Sequence, residues 1–501
     1  MPMSLAFVEI CCGVAEVRLS ARRLAMLLIC MLALSAPSLP TALGAQPTMP
    51  SPKPVVGSWQ GALLTAGGTL RLGLTVRSDS TGRLSGYLTS IDQGDARIPA
   101  TFSVRGDTLV VAMPAINAVF SGALVASRDT LRGQFVQGGA PLPLVMTRVA
   151  SGGRFGGASA RPQTPVPPFP YRSVEVAIPS VANVVLAGTL TTPSGVGPFS
   201  TVVLVTGSGP QDRDATMVGH KPFLLLADHL ARRGIATLRY DDRGVGKSTG
   251  RFASATTADL ADDAEAVVRF LRARPEVAKD RIGMLGHSEG GIIGPLVAAR
   301  STDVAFLVLL AAPALRGDSL LMLQNAAIFA ALGLPPAARE PALAIRRQFF
   351  TVAVTVRDSA RAERELSVAA KAFVDTLPDA IRVENTEGLT QLAREVMQPW
   401  MRYFLAFDPA PVLRRVRVPV LALNGTLDLQ VTPRENLGAL RRALTAASNR
   451  DHTEEEMTGL NHLFQKAATG LPNEYAQLEE TMAPAVLARI ATWITARIAK
   501  P

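Results

Sequence analysis

From Val55 to Val149, apolar and polar positions alternate in short runs. In LRLGLTV, the apolar Leu70, Leu72, Leu74 and Val76 are separated by Arg71, Gly73 and Thr75, the two-residue period of a strand with one buried face. The runs RLSGYLTSI, ATFSV, DTLVVAM, AVFSGALV, TLRGQFV and LPLVMTRV repeat the pattern, with Gly and Asp turns such as VRGDTL between them. About eight consecutive strands without a helical period predict a small all-β accessory domain over 53–150, an antiparallel meander closed as a barrel or stacked as a sandwich.

The segment SGGRFGGASARPQTPVPPFP, 151–170, begins rich in glycine and serine and ends rich in proline, which marks a linker with a flexible end and a stiff, extended one. From Tyr171 the period changes. SVEVAI and VVLAGTL read as a leading hairpin. TVVLVTG, KPFLLLADHLARRG, IATLRYDDRG, TADLADDAEAVVRFLRAR, RIGMLG, IIGPLVAAR and VAFLVLLAAP then alternate between strand and helix. That alternation predicts an α/β domain over 171–501 built on a mostly parallel sheet flanked by helices, and unbroken apolar runs such as FLVLL suit strands covered on both faces. A helix-rich insertion over about 315–415 interrupts the rhythm. VPVLALNG, a helix from Pro433, a short segment near EEEMTG and a helix around Ala485 to Ile498 complete it.

Apolar residues make up 48% of the chain and charged residues 18%, which places it among globular proteins. The net charge of +10 is spread over single basic residues with no dense block and only 5% aromatics, so no nucleic-acid groove is indicated. Near the N-terminus Arg18, Arg22 and Arg23 precede LAMLLICMLALSA, and TALGAQ follows with small residues at Ala42, Gly44 and Ala45. This reads as a signal peptide over 1–45 and a periplasmic or secreted location. The apolar run is short and followed by Pro37 and Pro40, so no stable membrane span is expected after cleavage; an uncleaved anchor is the alternative. The stretch before Arg18 is long for such a leader, so an effective start further downstream is a second alternative. All three cysteines, Cys11, Cys12 and Cys30, fall within the leader, so the mature chain has no thiol for a disulfide, a nucleophile or a metal site. No histidine and carboxylate cluster has zinc-site spacing, and neither metal nor cofactor is expected.

The candidate chemistry centres on GHSEGG, residues 286–291, between an apolar strand and a helix. G-x-S-x-G at such a junction fits a nucleophile elbow with Ser288 as nucleophile, although an ordinary tight turn has the same composition. A serine hydroxyl needs an adjacent base and the base an orienting acid. His452 and His462 are the histidines that follow Ser288. His452 lies in the polar run SNRDHTEEE, whereas His462 in GLNHLF precedes the last helix and is the favoured base. Asp428 in VLALNGTLDLQV directly follows a buried strand and is the favoured acid, with Asp408 and Asp451 as weaker alternatives. The oxyanion donors are assigned to the backbone N–H groups of Glu289, at a helix start, and Ser208, in VLVTGSGPQDRD. GSGP lacks a P-loop lysine, which argues against a phosphate cradle.

These motifs together (VTGSGPQDRD, YDDRGVGKS, GHSEGG, NGTLDLQV and GLNH) resemble the α/β-hydrolases over residues 171–501, near the serine esterases of the dienelactone-hydrolase and serine-aminopeptidase-like branch. The resemblance implies an α/β-hydrolase fold with a helical cap over 315–415, a small-molecule ester substrate, and an acyl-enzyme formed by Ser288, Asp428 and His462. TGSG stands where many relatives have HG, a departure at the second oxyanion donor. Asp242 and Arg243 are expected to brace their loop. Within the insertion LLMLQNAAIFAALGL and QFFTVAV are apolar enough to wall an acyl pocket, with Phe349 and Phe350 as candidate lining residues, although ordinary helix-packing faces have the same composition. A serine aminopeptidase or amidase acting on short peptides or amides is the rival reading, and a non-catalytic envelope-binding protein a more distant one.

Overall fold

The structure is a computed structural model that describes residues 55–65, 68–91, 96–125, 129–137, 140–149 and 161–498. The leader read over 1–45 and the glycine-rich part of the linker lie outside the described residues. Two compact units are present, one all-β and one α/β.

The all-β unit contains β1 (Gly57–Thr65), β2 (Gly68–Ser78), β3 (Leu84–Ser90), β4 (Ala96–Pro99), β5 (Thr101–Arg105), β6 (Thr108–Met113), β7 (Ala118–Leu124), β8 (Thr130–Gln137) and β9 (Ala140–Val149). They form one sheet in the order β4-β3-β2-β1-β9-β8-β7-β6-β5. The two edge strands, β4 and β5, are separated by Ala100 alone. One bent segment therefore supplies both ends of the sheet, which curls into a barrel rather than splitting into a sandwich. The two-residue period sends Trp59, Leu74, Leu88, Val111, Phe120 and Met146 into a common core. Trp59 is fully buried; its Nε1–H donates to the Val55 carbonyl at 3.0 Å, and the Arg148 guanidinium lies 4.0 Å from its ring.

The α/β unit has eight strands: β10 (Tyr171–Pro179), β11 (Val185–Pro193), β12 (Phe199–Val205), β13 (Ala236–Tyr240), β14 (Val277–His287), β15 (Phe306–Leu310), β16 (Val420–Gly425) and β17 (His452–Met457). Their order is β10-β11-β13-β12-β14-β15-β16-β17. β11 runs antiparallel to both neighbours, and the other pairings are parallel. The connecting helices are α1 (Pro222–Ala231), α2 (Thr257–Arg272), α3 (Gly290–Ala298), α4 (Gly317–Ala331), α5 (Pro336–Thr355), α6 (Ser359–Asp375), α7 (Asp379–Val396), α8 (Pro399–Ala406), α9 (Ala410–Leu413), α10 (Pro433–Ala446) and α11 (Pro484–Ile498).

Alternate residues of the central strands build two cores. Val203, Met284, Leu309 and Ala422 pack with α2, α3 and α10, whereas Leu204, Leu285, Val308 and Leu423 pack with α1 and α11. This is why the strands read as unbroken apolar runs. Helices α4 to α8 form the insertion between β15 and β16 and share a third core around Phe349, Phe350, Leu392, Met401 and Phe404. The proline-rich end of the linker is fastened to the α/β unit: Arg161 donates to the carbonyls of Val218, Ala476 and Leu478, and Gln163 bonds both Thr481 and Met482. Among the described residues no helix is long and apolar enough to cross a membrane.

Trp59→Ala removes the largest buried side chain of the barrel together with its hydrogen bond, and is expected to cost the β domain about 3–5 kcal/mol. Denaturant unfolding measures this, and an unchanged midpoint contradicts the packing described.

Candidate active site

Ser288 sits between the end of β14 and the start of α3 with φ of 53°, in the left-handed region. A non-glycine residue there costs about 1–2 kcal/mol, so its surroundings must hold it. Its N–H donates to the Leu310 carbonyl and its own carbonyl accepts from Gly291 N–H, both at 2.8 Å. The turn also requires α3 to start almost on top of the sheet. A Cβ at Gly286 would lie 2.0 Å from the Gly290 carbonyl oxygen, and one at Gly290 would lie 2.3 Å from that of Val205. Both glycines of G-x-S-x-G are therefore steric requirements rather than turn formers alone.

His462 and Asp428 come from two loops beyond the ends of β17 and β16. His462 Nδ1 lies 2.8 Å from Asp428 Oδ2. The other carboxylate oxygen accepts from Gln430 and Val431 N–H, each at 2.9 Å, which orients the carboxylate toward the ring. Both side chains are buried. The histidine loop is self-bonded, with Asn461 Oδ1 accepting from Leu463 and Gln465 N–H at 3.0 Å. His287, beside the nucleophile, contacts that loop through Nε2 and the His462 carbonyl at 2.9 Å. Burial pushes His287 down to about 4, a shift to which the neighbouring His462 adds, so its ring is neutral near pH 7 and its Nε2–H donates to that carbonyl.

The loop carrying Ser208 is held from below by Asp242, whose carboxyl accepts from Thr206 Oγ1 at 3.1 Å and from Gln211 N–H at 2.9 Å. Arg243 in turn bonds Asp263 at 2.7 Å and the Asp259 carbonyl at 2.9 Å. Arg243 thus ties its own loop to α2, as expected, whereas the Asp242 side chain holds the neighbouring Ser208 loop rather than its own. Burial raises Asp242 to about 8; hydrogen bonds from Gln211 and Thr206 oppose the shift, while Glu289 and Asp263 add to it. The Glu289 carboxyl is fully buried and is raised by that burial against hydrogen bonds from Thr257, Trp400 and Ser208.

Ser288, His462 and Ser208 line one cavity beneath the insertion, with His287 and Gln430 beside them. Its roof comes from α4 and α8 through Leu320, Leu321, Gln324, Trp400, Met401 and Phe404. Phe349 and Phe350 are not on this wall. They are buried in the core of the insertion, where an apolar pair in mid-helix packs against its neighbours. Leu320, Leu321 and Gln324 belong to LLMLQNAAIFAALGL, one of the two segments read as a candidate pocket wall, whereas the sequence offered no signal for Trp400, whose placement depends on how the insertion folds back. The other candidates serve elsewhere. His452 bonds Glu454 at 2.6 Å, Asp408 accepts from Ala410 N–H at 3.0 Å, and Asp451 pairs with Arg497. Among the described residues no group of three or more His, Cys, Asp or Glu side chains is placed to hold a metal ion.

Residues 221–466 match the family model described as serine aminopeptidase, S33. The chain is 30% identical over 261 residues to Esterase EstD of Thermotoga maritima, an alignment covering 50% of this chain and 52% of that protein. The chain thus spans about half the length of the curated relative it matches. Similar solved structures include α/β hydrolase GrgF from Penicillium sp. sh18, at 16% identity and a TM-score of 0.42 over 66% of this chain and 99% of that one. Pyrococcus furiosus esterase Pf2001 is similar at 16% identity and a TM-score of 0.39 over 65% of this chain and 91% of that one.

Because Asp242 is raised from 3.8 to about 8 in the folded protein, the unfolded chain releases this proton first as pH rises, and stability is lost between those two values. Asp242→Asn keeps an acceptor for Gln211 N–H without the titration. Its thermal midpoint relative to wild type is expected to rise progressively from pH 5 to pH 8. A difference that stays flat or falls over that range contradicts the assignment.

Proposed function

We propose that the C-terminal domain is an α/β-hydrolase that hydrolyses carboxylic esters of small molecules through an acyl-enzyme on Ser288. The observation that carries this reading is one cavity faced by both Ser288, on its left-handed turn, and His462, whose Nδ1 lies 2.8 Å from Asp428. With Nδ1–H engaged by the carboxylate, Nε2 of His462 takes the proton of Ser288 as the hydroxyl attacks the ester carbonyl. Asp428 stabilises the imidazolium that results. The N–H groups of Glu289 and Ser208 receive the oxyanion, and the N-terminal end of α3 favours the same charge. His462 then protonates the departing alcohol, and water releases the acyl group by the reverse sequence.

The composition of the cavity favours esters over aminoacyl substrates. An aminopeptidase needs a carboxylate to hold the substrate ammonium, and none is found among the described residues lining the cavity. The buried acid of the insertion, Glu395, bonds Gln391 at 2.8 Å and is not part of that wall. The same proposal places the mature enzyme in the periplasm or outside the cell, on the strength of the leader over 1–45.

Ser288→Ala is expected to abolish hydrolysis of p-nitrophenyl acyl esters while leaving the circular dichroism spectrum unchanged. Asp428→Asn is expected to lower kcat by roughly 10⁴-fold, since the ring then loses the acceptor that fixes its tautomer. Retained turnover in Ser288→Ala contradicts the proposal. Faster cleavage of an aminoacyl p-nitroanilide than of the esters transfers it to the peptidase reading.

A further inference from the structure

Glu289 follows the nucleophile in sequence, yet its side chain ends on a donor from the insertion. Oε1 accepts from Trp400 Nε1–H at 2.7 Å and from Thr257 Oγ1 at 2.6 Å. Glu289 is 0% exposed, and so is Thr257, at the start of α2. An indole has one donor and no acceptor, so this bond fixes which edge of Trp400 turns inward. Trp400 lies in the first turn of α8 and stacks on Phe404, with ring centroids 5.1 Å apart and planes 20° from parallel. Both rings line the cavity that Ser288 faces. The residue next to the nucleophile thus anchors an aromatic wall that belongs to the insertion.

We propose that Glu289 is a positioning residue that sets acyl preference, holding the Trp400–Phe404 wall at a fixed place relative to Ser288 through its bond to the indole. The inference rests on the ester-hydrolase reading. An acyl group long enough to reach the wall packs against it, whereas an acetyl group does not extend that far. Losing the anchor therefore weakens the longer substrate selectively. Glutamine at this position presents a side-chain carbonyl oxygen to the same two donors.

The test compares kcat/KM for p-nitrophenyl hexanoate and p-nitrophenyl acetate in the full chain. Trp400→Phe keeps a ring and loses the N–H; Glu289→Ala loses the acceptor; Glu289→Gln restores it. The hexanoate-to-acetate ratio is expected to fall at least threefold in Trp400→Phe and Glu289→Ala, through a raised KM for hexanoate, and to recover toward the wild-type ratio in Glu289→Gln. A ratio is insensitive to the fraction of folded enzyme, and Trp400→Phe decides the matter alone if Glu289→Ala does not fold. An unchanged or increased ratio in Trp400→Phe, or a Glu289→Gln ratio as low as that of Glu289→Ala, overturns the proposal. A wild-type protein inert toward both esters overturns the esterase reading itself, a result distinct from a preserved ratio in an active enzyme.

Discussion

The site depends on how closely α3 begins to the end of β14. Gly286 and Gly290 have no room for a side chain, because a Cβ on either would meet a backbone oxygen at 2.3 Å or less. That contact leaves the intervening residues a sharp turn, and Ser288 occupies it with φ of 53°. The conformational cost, about 1–2 kcal/mol, is offset by the packing that surrounds the turn. The turn raises the serine above the sheet toward the loops that follow β16 and β17. It also points the Glu289 side chain into the protein, where it meets Thr257 and Trp400. One steric constraint thus governs both the placement of Ser288 and the attachment of the insertion.

Around the turn, buried polar groups act mainly by holding loops. Asp242 holds the Ser208 loop, Asn461 shapes the His462 loop, and His287 ties that loop to the nucleophile strand. Asp242 and Asn461 are removed from water, His287 is half-buried, and all three bond backbone N–H or carbonyl groups, so each loop has one favoured position. For Asp242 and Glu289, burial outweighs the hydrogen bonds and raises the carboxyl, favouring the uncharged acid at the centre of the site.

Much of the architecture was legible in sequence because it follows from periodicity. The two-residue alternation gave the barrel strands, and the unbroken runs FLVLL and VLALNG gave central strands buried on both faces. The barrel closure was not legible: it depends on Ala100 bending one segment so that its halves pair at opposite edges, and no residue type announces that. At the site, Ser288, His462 and Asp428 were readable because each ends a strand or loop with a recognisable composition, and the structure brings them to one cavity or into hydrogen-bonding contact. Trp400 was not, since its helix could have turned any face toward the sheet. Of the two apolar segments read as pocket wall or helix-packing face, LLMLQNAAIFAALGL supplies Leu320, Leu321 and Gln324 to the cavity, whereas Phe349 and Phe350 of QFFTVAV fill the core of the insertion.

The central claim is that the left-handed turn presents Ser288 as an activated nucleophile beside His462. Its most direct measurement is exposure of the full chain to a fluorophosphonate, followed by proteolysis and mass spectrometry of the modified peptide. The account predicts a single phosphonyl adduct on Ser288, formed in the folded protein and absent when the chain is denatured before exposure. No adduct under these conditions, or an adduct on another serine with Ser288 unmodified, contradicts it.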